Sequence, residues 1–184
     1  MVVRKFGPDT FQESELTNID DLPSLRDQPV CLWVEVTGLA NTGLVAAIGR
    51  VFGLHVLSLE DVLDPNQRPK VEHYDDYTFV VLKVLGMSAR VEVHPLYILF
   101  GDRFVVTLQD IDNPVLEPVR ERLRRASGKI RARGPDYLAY ALVDTVIDHY
   151  FPVVEAFDDH LERVEDAVLE ATNVDPIDLA RRAR

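Results

Sequence analysis

Three runs rich in β-branched and aromatic residues, at 77–85, 91–100 and 103–109, follow one another with connections too short for a crossover. Runs of this composition are strands, and strands joined this closely pair antiparallel, with Gly101-Asp102 as the turn between the last two. An earlier run at 30–36, VCLWVEV, has the same character and ends at Thr37-Gly38, which makes it a further and central strand. After it Leu44, Ile48, Val51 and Phe52 recur at helical spacing between Thr42, the expected cap, and Gly53. An amphipathic helix over 43–52 follows, its apolar stripe laid on the sheet. A second covering helix is expected in NPVLEPVRERLRRASGKI, with Val115, Val119, Leu123, Ala126 and Ile130 on one face, the arginines on the other, and its end near Gly128. The outcome is a mixed sheet with helices packed on it.

From Asp136 the pattern changes. Residues 136–171 carry almost no turn signals and keep helical periodicity through Leu138, Leu142, Val146, Phe157, Leu161, Val164 and Val168. One long helix is expected, kinked or broken at Pro152 with a change of direction at Phe151, because proline removes a backbone donor. Beyond Pro152 the surface is acidic, with Glu155, Asp158, Asp159, Glu162, Glu165, Asp166 and Glu170 on a helix too long to fold back over a small core, so it projects. Asp175-Pro176 reads as the cap and first residue of another helix, and the lack of a C-terminal cap before Arg184 implies that the native polypeptide continues. The expected division is an α/β domain over 1–135 and a helical part over 136–184.

Charge narrows the partners. With 31 acidic against 20 basic residues and a net charge of −11, attraction to nucleic acid or an anionic membrane is disfavoured and cations are the natural partners. Cys31 is the single cysteine, so neither an internal disulfide nor a thiolate cluster can form, in keeping with a reducing compartment. The opening MVVRKFGPDTFQE has no secretory pattern, and no apolar stretch reaches the ~18–20 residues that span a bilayer. The five histidines, His55, His73, His94, His149 and His160, fall in no metal-ligand spacing. The glycines match no nucleotide loop, no serine sits in G-x-S-x-G, and no catalytic constellation emerges. The basic cluster from Arg120 to Arg133 reads as a solvated helix face balancing nearby acids.

Two acidic pairs remain. Ser58-Leu59-Glu60-Asp61 reads as a capped helix start with its acids near the positive end of the helix dipole. The functional alternative is that Glu60 or Asp61 points outward as a hard oxygen ligand for a divalent cation. Asp144 and Asp148 are four residues apart, so their carboxylates share a helix face and repel unless a cation or a basic group intervenes.

The stretch SLEDVLDPNQRPKVEHYDDYTFVVLKVL at 58–85 resembles the signature region of CorA magnesium transporters. EPVRERLR at 117–124 and DYLAYALVDTVIDHYFPVVE at 136–155 resemble the same family in the same order, so the likeness covers essentially the whole chain. The resemblance implies an α/β/α sandwich with a mixed β-sheet followed by long projecting helices, on the cytoplasmic side of a cell-membrane protein. It implies a homopentamer that binds Mg2+, with Co2+ as a second ion, between neighbouring subunits. The matching ligands are Asp61 for the principal site and Glu60 and Asp144 for an adjoining one. The partner aspartate belongs to a stalk helix absent from this sequence, as are the membrane helices and the Gly-Met-Asn pore tripeptide. Three other readings stay open. They are a ZntB-type zinc transporter, a soluble magnesium-dependent enzyme using Glu60, Asp61, Asp144 and Asp148 in one cleft, and an interaction module built on the acidic helix.

Overall fold

The computed structural model describes residues 1–87 and 91–172, so the helix start expected at Asp175-Pro176 lies outside the described residues. Seven strands form one sheet: β1 (Val2–Phe6), β2 (Phe11–Glu15), β3 (Cys31–Thr37), β4 (Lys70–His73), β5 (Tyr77–Met87), β6 (Val91–Gly101) and β7 (Phe104–Gln109). Their order is β2-β1-β3-β7-β6-β5-β4. Only the β3–β7 pair is parallel; the rest are antiparallel, so the sheet is mixed as expected. The hairpin turn between β6 and β7 is Asp102-Arg103, since Gly101 still pairs with Phe104. Strands β1, β2 and β4 were not foreseen: they are short and lie toward the sheet edges, where the strand signal is weakest.

Alternation along the strands divides the core in two. Leu32, Val34 and Val36 of β3 and Phe104, Val106 and Leu108 of β7 face one side, where they pack with Val45, Ile48 and Phe52 of α2 (Thr42–Phe52) and Val62 of α3 (Val56–Leu63). A short helix, α1 (Leu22–Arg26), adds Leu22 to this layer. The opposite face is covered by α4 (Glu117–Arg124) and α5 (Pro135–Asp148), whose Val119, Leu123, Leu138, Leu142 and Val146 are buried. Each such side chain contributes about 1.5–3 kcal/mol on burial. The result is the mixed sheet with covering helices that the patterning implied, in the α/β/α layering that the resemblance implied.

The cap of α2 differs from the expectation, and its end does not. Helix α2 is capped by Asn41, whose Oδ1 accepts from the Leu44 amide at 3.1 Å, and not by Thr42. At its other end Gly53 adopts φ +66°, a left-handed conformation that glycine takes without steric cost.

The long helix expected from residue 136, with a kink or break at Pro152, is two helices, with the break three residues before the proline. α5 ends at Asp148, and α6 (Tyr150–Thr172) begins after His149. Pro152 therefore lies in the first turn of α6, where an amide has no intrahelical acceptor to lose, and the break falls at His149. α5 belongs to the compact unit Met1–Asp148 that contains the sheet, and a second unit begins at His149. Within that second unit, Glu155, Asp158, Asp159, Glu162, Glu165 and Asp166 are exposed, as are Phe157, Leu161 and Val164 between them. No described helix is long and apolar enough to cross a membrane.

Candidate cation site on helix α3

Helix α3 is held at its start by a side-chain lock. His55 is its cap, the ring Nδ1 accepting from the Leu57 amide at 3.2 Å. The Tyr77 hydroxyl accepts from the His55 amide at 3.0 Å and lies 2.8 Å from Ser58 Oγ, which is fully buried. Tyr77 in turn stacks on Tyr74 with ring centroids 4.6 Å apart. Ser58 is thus an interior helical residue bonded to the sheet, and the expectation of a helix start at Ser58 is corrected: the helix opens three residues earlier. The cause is that an imidazole nitrogen serves as cap acceptor, a role usually taken by Ser, Thr, Asp or Asn.

Ser58 and Val62, one turn apart, point inward, and Leu59 presses on Gly49 of α2 so closely that a Cβ there would collide with its side chain. This inward set leaves the outer face to Glu60, which is exposed, and brings Asp61 to the half-buried edge. Both acids sit in the second turn of an eight-residue helix, beyond the reach of the positive end of its dipole.

The chain after α3 folds back toward Asp61. Asp64 Oδ1 accepts from the Asn66 amide at 3.0 Å and the Asp64 carbonyl from the Gln67 amide at 3.2 Å, which tightens the turn into β4. The Asp64 carbonyl also accepts from Tyr97 Oη at 2.9 Å, and the Pro65 carbonyl from Lys83 Nζ at 2.8 Å, so this loop is tied to β5 and β6. Burial, with Asp64 and Asp61 nearby, pushes the Tyr97 hydroxyl up to about 12, so it stays a proton donor. The tie aims Gln67 and Lys70 at Asp61: Gln67 Nε2 donates to one carboxylate oxygen at 2.5 Å and Lys70 Nζ to the other at 2.5 Å. Lys70 Nζ also lies 2.8 Å from Glu72 Oε1. Hydrogen bonding to Asp61 and Glu72 holds the Lys70 ammonium above its ordinary value, and Lys70 holds Glu72 below its own. Asp61 thus already holds one cation, supplied by its own chain.

Asp144 lies elsewhere. It sits half-buried on α5, accepting from Tyr140 Oη at 3.3 Å, with Asp148 exposed one turn on. Since α3 and α5 cover opposite faces of the sheet, Glu60 and Asp61 do not meet Asp144 and Asp148 within one chain. Among the described residues no group of three or more His, Cys, Asp or Glu side chains is arranged to hold a metal ion. The one-cleft enzyme reading required that convergence, and the structure contradicts it. An open groove of about 530 Å3 beside the end of α3, lined by Leu39, Val62, Val93 and Tyr97 together with the polar Asn66, His94 and Asp110, includes neither Glu60 nor Asp61.

The basic cluster is a face that balances nearby acids, as expected, except at Arg120. Arg120 is buried, its Nη2 lying 2.5 Å from Glu35 Oε1 and 2.7 Å from Asp112 and its Nη1 2.9 Å from Glu117. Arg4, equally buried, holds the other Glu35 oxygen at 2.7 Å and Glu13 at 2.5 Å, while stacking on Trp33 at 4.5 Å. Arg124 closes the network onto Glu13 and Glu117. The available signal was Glu35 itself, a carboxylate inside the apolar run of β3, which must be paired if buried.

The comparisons agree with this fold. The model of the CorA-like Mg2+ transporter family matches residues 30–180. The cobalt/magnesium transport protein CorA of Thermotoga maritima is 35% identical over 171 residues, covering 91% of this chain and 49% of that protein. The magnesium transporter ALR1 of Saccharomyces cerevisiae is 29% identical over 132 residues, 70% of this chain and 15% of that protein. The chain therefore spans about half the length of the Thermotoga relative, or less of the yeast one. Among solved structures, the soluble domain of CorA from Methanocaldococcus jannaschii superposes with a TM-score of 0.68 at 15% identity, over 92% of this chain and 65% of that one. The ZntB cytoplasmic domain of Vibrio parahaemolyticus gives 0.66 at 11% identity, over 88% and 64%. At these identities the structural likeness speaks for the fold alone.

Proposed function

The chain belongs to the CorA-like Mg2+ transporter family, and from that premise we propose that it is the cytoplasmic, cation-sensing domain of a homopentameric channel for Mg2+ and Co2+ in the cell membrane. It is a transporter-family domain and not an enzyme. The membrane-spanning part belongs to segments outside this sequence.

In this reading Asp61 is the principal ligand and Glu60 and Asp144 belong to an adjoining site, each completed across a subunit boundary. The observation that carries it is that Asp61 and Glu60 stand at the outer edge of α3, separated from Asp144 by the sheet. A shared ion then requires a second copy. Carboxylates are the hard oxygen donors Mg2+ prefers, and an Asp61 carboxylate that holds an ammonium at 2.5 Å has the exposure and charge to hold a cation. Facing acids of two subunits repel, bound Mg2+ relieves the repulsion, and the closed symmetric pentamer is favoured while the ion is plentiful. Loss of the ion loosens the boundary and opens the pore. Each site can be weak, because the bias sums over the ring.

Mg2+-dependent protection from proteolysis of the full-length protein tests this. Asp61→Ala is expected to shift protection to higher Mg2+. Unchanged protection removes Asp61 from the sensor.

A further inference from the structure

Lys70 stands where an incoming cation must go. Its ammonium lies 2.5 Å from Asp61 Oδ2 and 2.8 Å from Glu72 Oε1, and the remaining Asp61 oxygen is taken by Gln67 Nε2. The Asp61 side chain is 18% exposed and that of Lys70 28%, so the pair is neither sealed in the core nor dissolved in solvent. Glu72 is itself steadied, its other oxygen accepting from Tyr74 Oη at 3.1 Å. The Lys70 stem reaches toward the Phe79 ring, with Nζ 5.8 Å from its centroid. Lysine therefore has two carboxylates within one reach, and can leave Asp61 without losing its counter-charge.

We propose that Lys70 is a tethered competitor for the Asp61 carboxylate, which sets the threshold of the divalent-cation sensor by occupying Asp61 until Mg2+ displaces it toward Glu72. The inference rests on Asp61 being a sensor ligand. Physically, a divalent ion binding next to an ammonium meets repulsion and must replace an existing ion pair, both of which weaken its apparent affinity. An ammonium is a compact point charge on a flexible stem, suited to swinging between two carboxylates, whereas a guanidinium holds a carboxylate with a broader fork. A sensor that must release Mg2+ within the cell benefits from such a built-in opponent.

The test is a Mg2+ titration of protection from chymotrypsin, which does not cut at lysine, on the full-length protein. Lys70→Gln and Lys70→Met, the latter keeping an apolar stem near Phe79, are each expected to lower the protection midpoint roughly three- to tenfold. Lys70→Arg, which keeps the charge, is expected to stay near or above the wild-type midpoint. In an Asp61→Asn background the shift caused by Lys70→Gln is expected to vanish, since the two residues then share no carboxylate to contest. A merely structural staple predicts the reverse: both neutral variants would melt lower in EDTA and need more Mg2+. If Asp61→Asn raises the midpoint while neither neutral variant lowers it, the competitor role is overturned and the sensor stands. If Asp61→Asn leaves the midpoint unmoved, the sensor reading itself has failed.

Discussion

The molecule contains two carboxylate–cation clusters that share a chemistry and differ in everything that decides their use. Around Glu35, Arg4 and Arg120 are buried and gathered from β1, β3 and α4, so the cluster exists only when the whole unit has folded. Around Asp61, every partner comes from residues 61–72, the groups are partly exposed, and the cation is a lysine on a flexible stem. Breaking a buried pair strands a charge in a medium that cannot solvate it, whereas breaking an exposed one returns both ions to water. The first cluster is thus committed to holding β1, β3 and α4 together. The second reaches solvent and is built from one short stretch of chain, so exchanging its cation, as the proposed sensor role requires, should cost the fold little.

The sharpest way to break this contrast is Glu35→Ala, which leaves Arg4 and Arg120 facing each other without their shared acid. A loss of about 3–5 kcal/mol in denaturant unfolding is expected; a loss similar to that of Asp61→Asn would erase the distinction. Next in size is Gly49→Val, which drives a branched side chain into Leu59 where α2 meets α3. It is expected to cost about 1–3 kcal/mol and to weaken the Mg2+ response together with stability, because α3 carries Glu60 and Asp61. Asp61→Asn is expected to change unfolding by less than about 1 kcal/mol while moving the protection midpoint to higher Mg2+, the inverse of Glu35→Ala.

The smallest effect is on acid stability. Hydrogen bonds from Arg120 and Arg124 hold Glu117 below its ordinary value of 4.5; Glu13, despite a burial penalty that raises it, is held below 4.5 by Arg124 and Arg4. A carboxylate with a depressed folded pKa stabilises the fold above its unfolded pKa, and loses that contribution as pH falls through the folded value. The contribution of Glu117 and Glu13 should therefore be lost progressively as pH falls through and below the ordinary carboxylate range, promoting acid unfolding. Arg124→Met should move it upward, as followed by circular dichroism against pH.

The layering was legible because β5, β6 and β7 are long apolar runs and α2 has a clean apolar stripe. Short edge strands such as β4, only four residues, carry too few side chains for alternation to register. A break was legible from Pro152 but falls three residues earlier, at His149, because the proline takes a place in the first turn of α6 instead of interrupting a helix interior. Glu60, Asp61 and Asp144 stand out as acids on helices and the resemblance assigns them to two sites, but nothing in the pattern places two on one side of the sheet and one on the other. Nor did it reveal that the Gln67 and Lys70 of the Q-R-P-K segment close on Asp61, since that contact depends on the turn that Asp64 and Tyr97 tie down. The Glu35 network was missed because Arg120 was placed by helical phase alone, and burial of an arginine is decided by its partners.

On the proposed function, Asp61 holds a divalent cation shared between copies. This is tested most directly by locating Co2+ through its anomalous scattering in crystals of the full-length protein. Co2+ is expected on the Asp61 carboxylate with a further ligand from a neighbouring subunit, and Lys70 withdrawn toward Glu72. Cobalt bound elsewhere, with Lys70 still paired to Asp61, would contradict it.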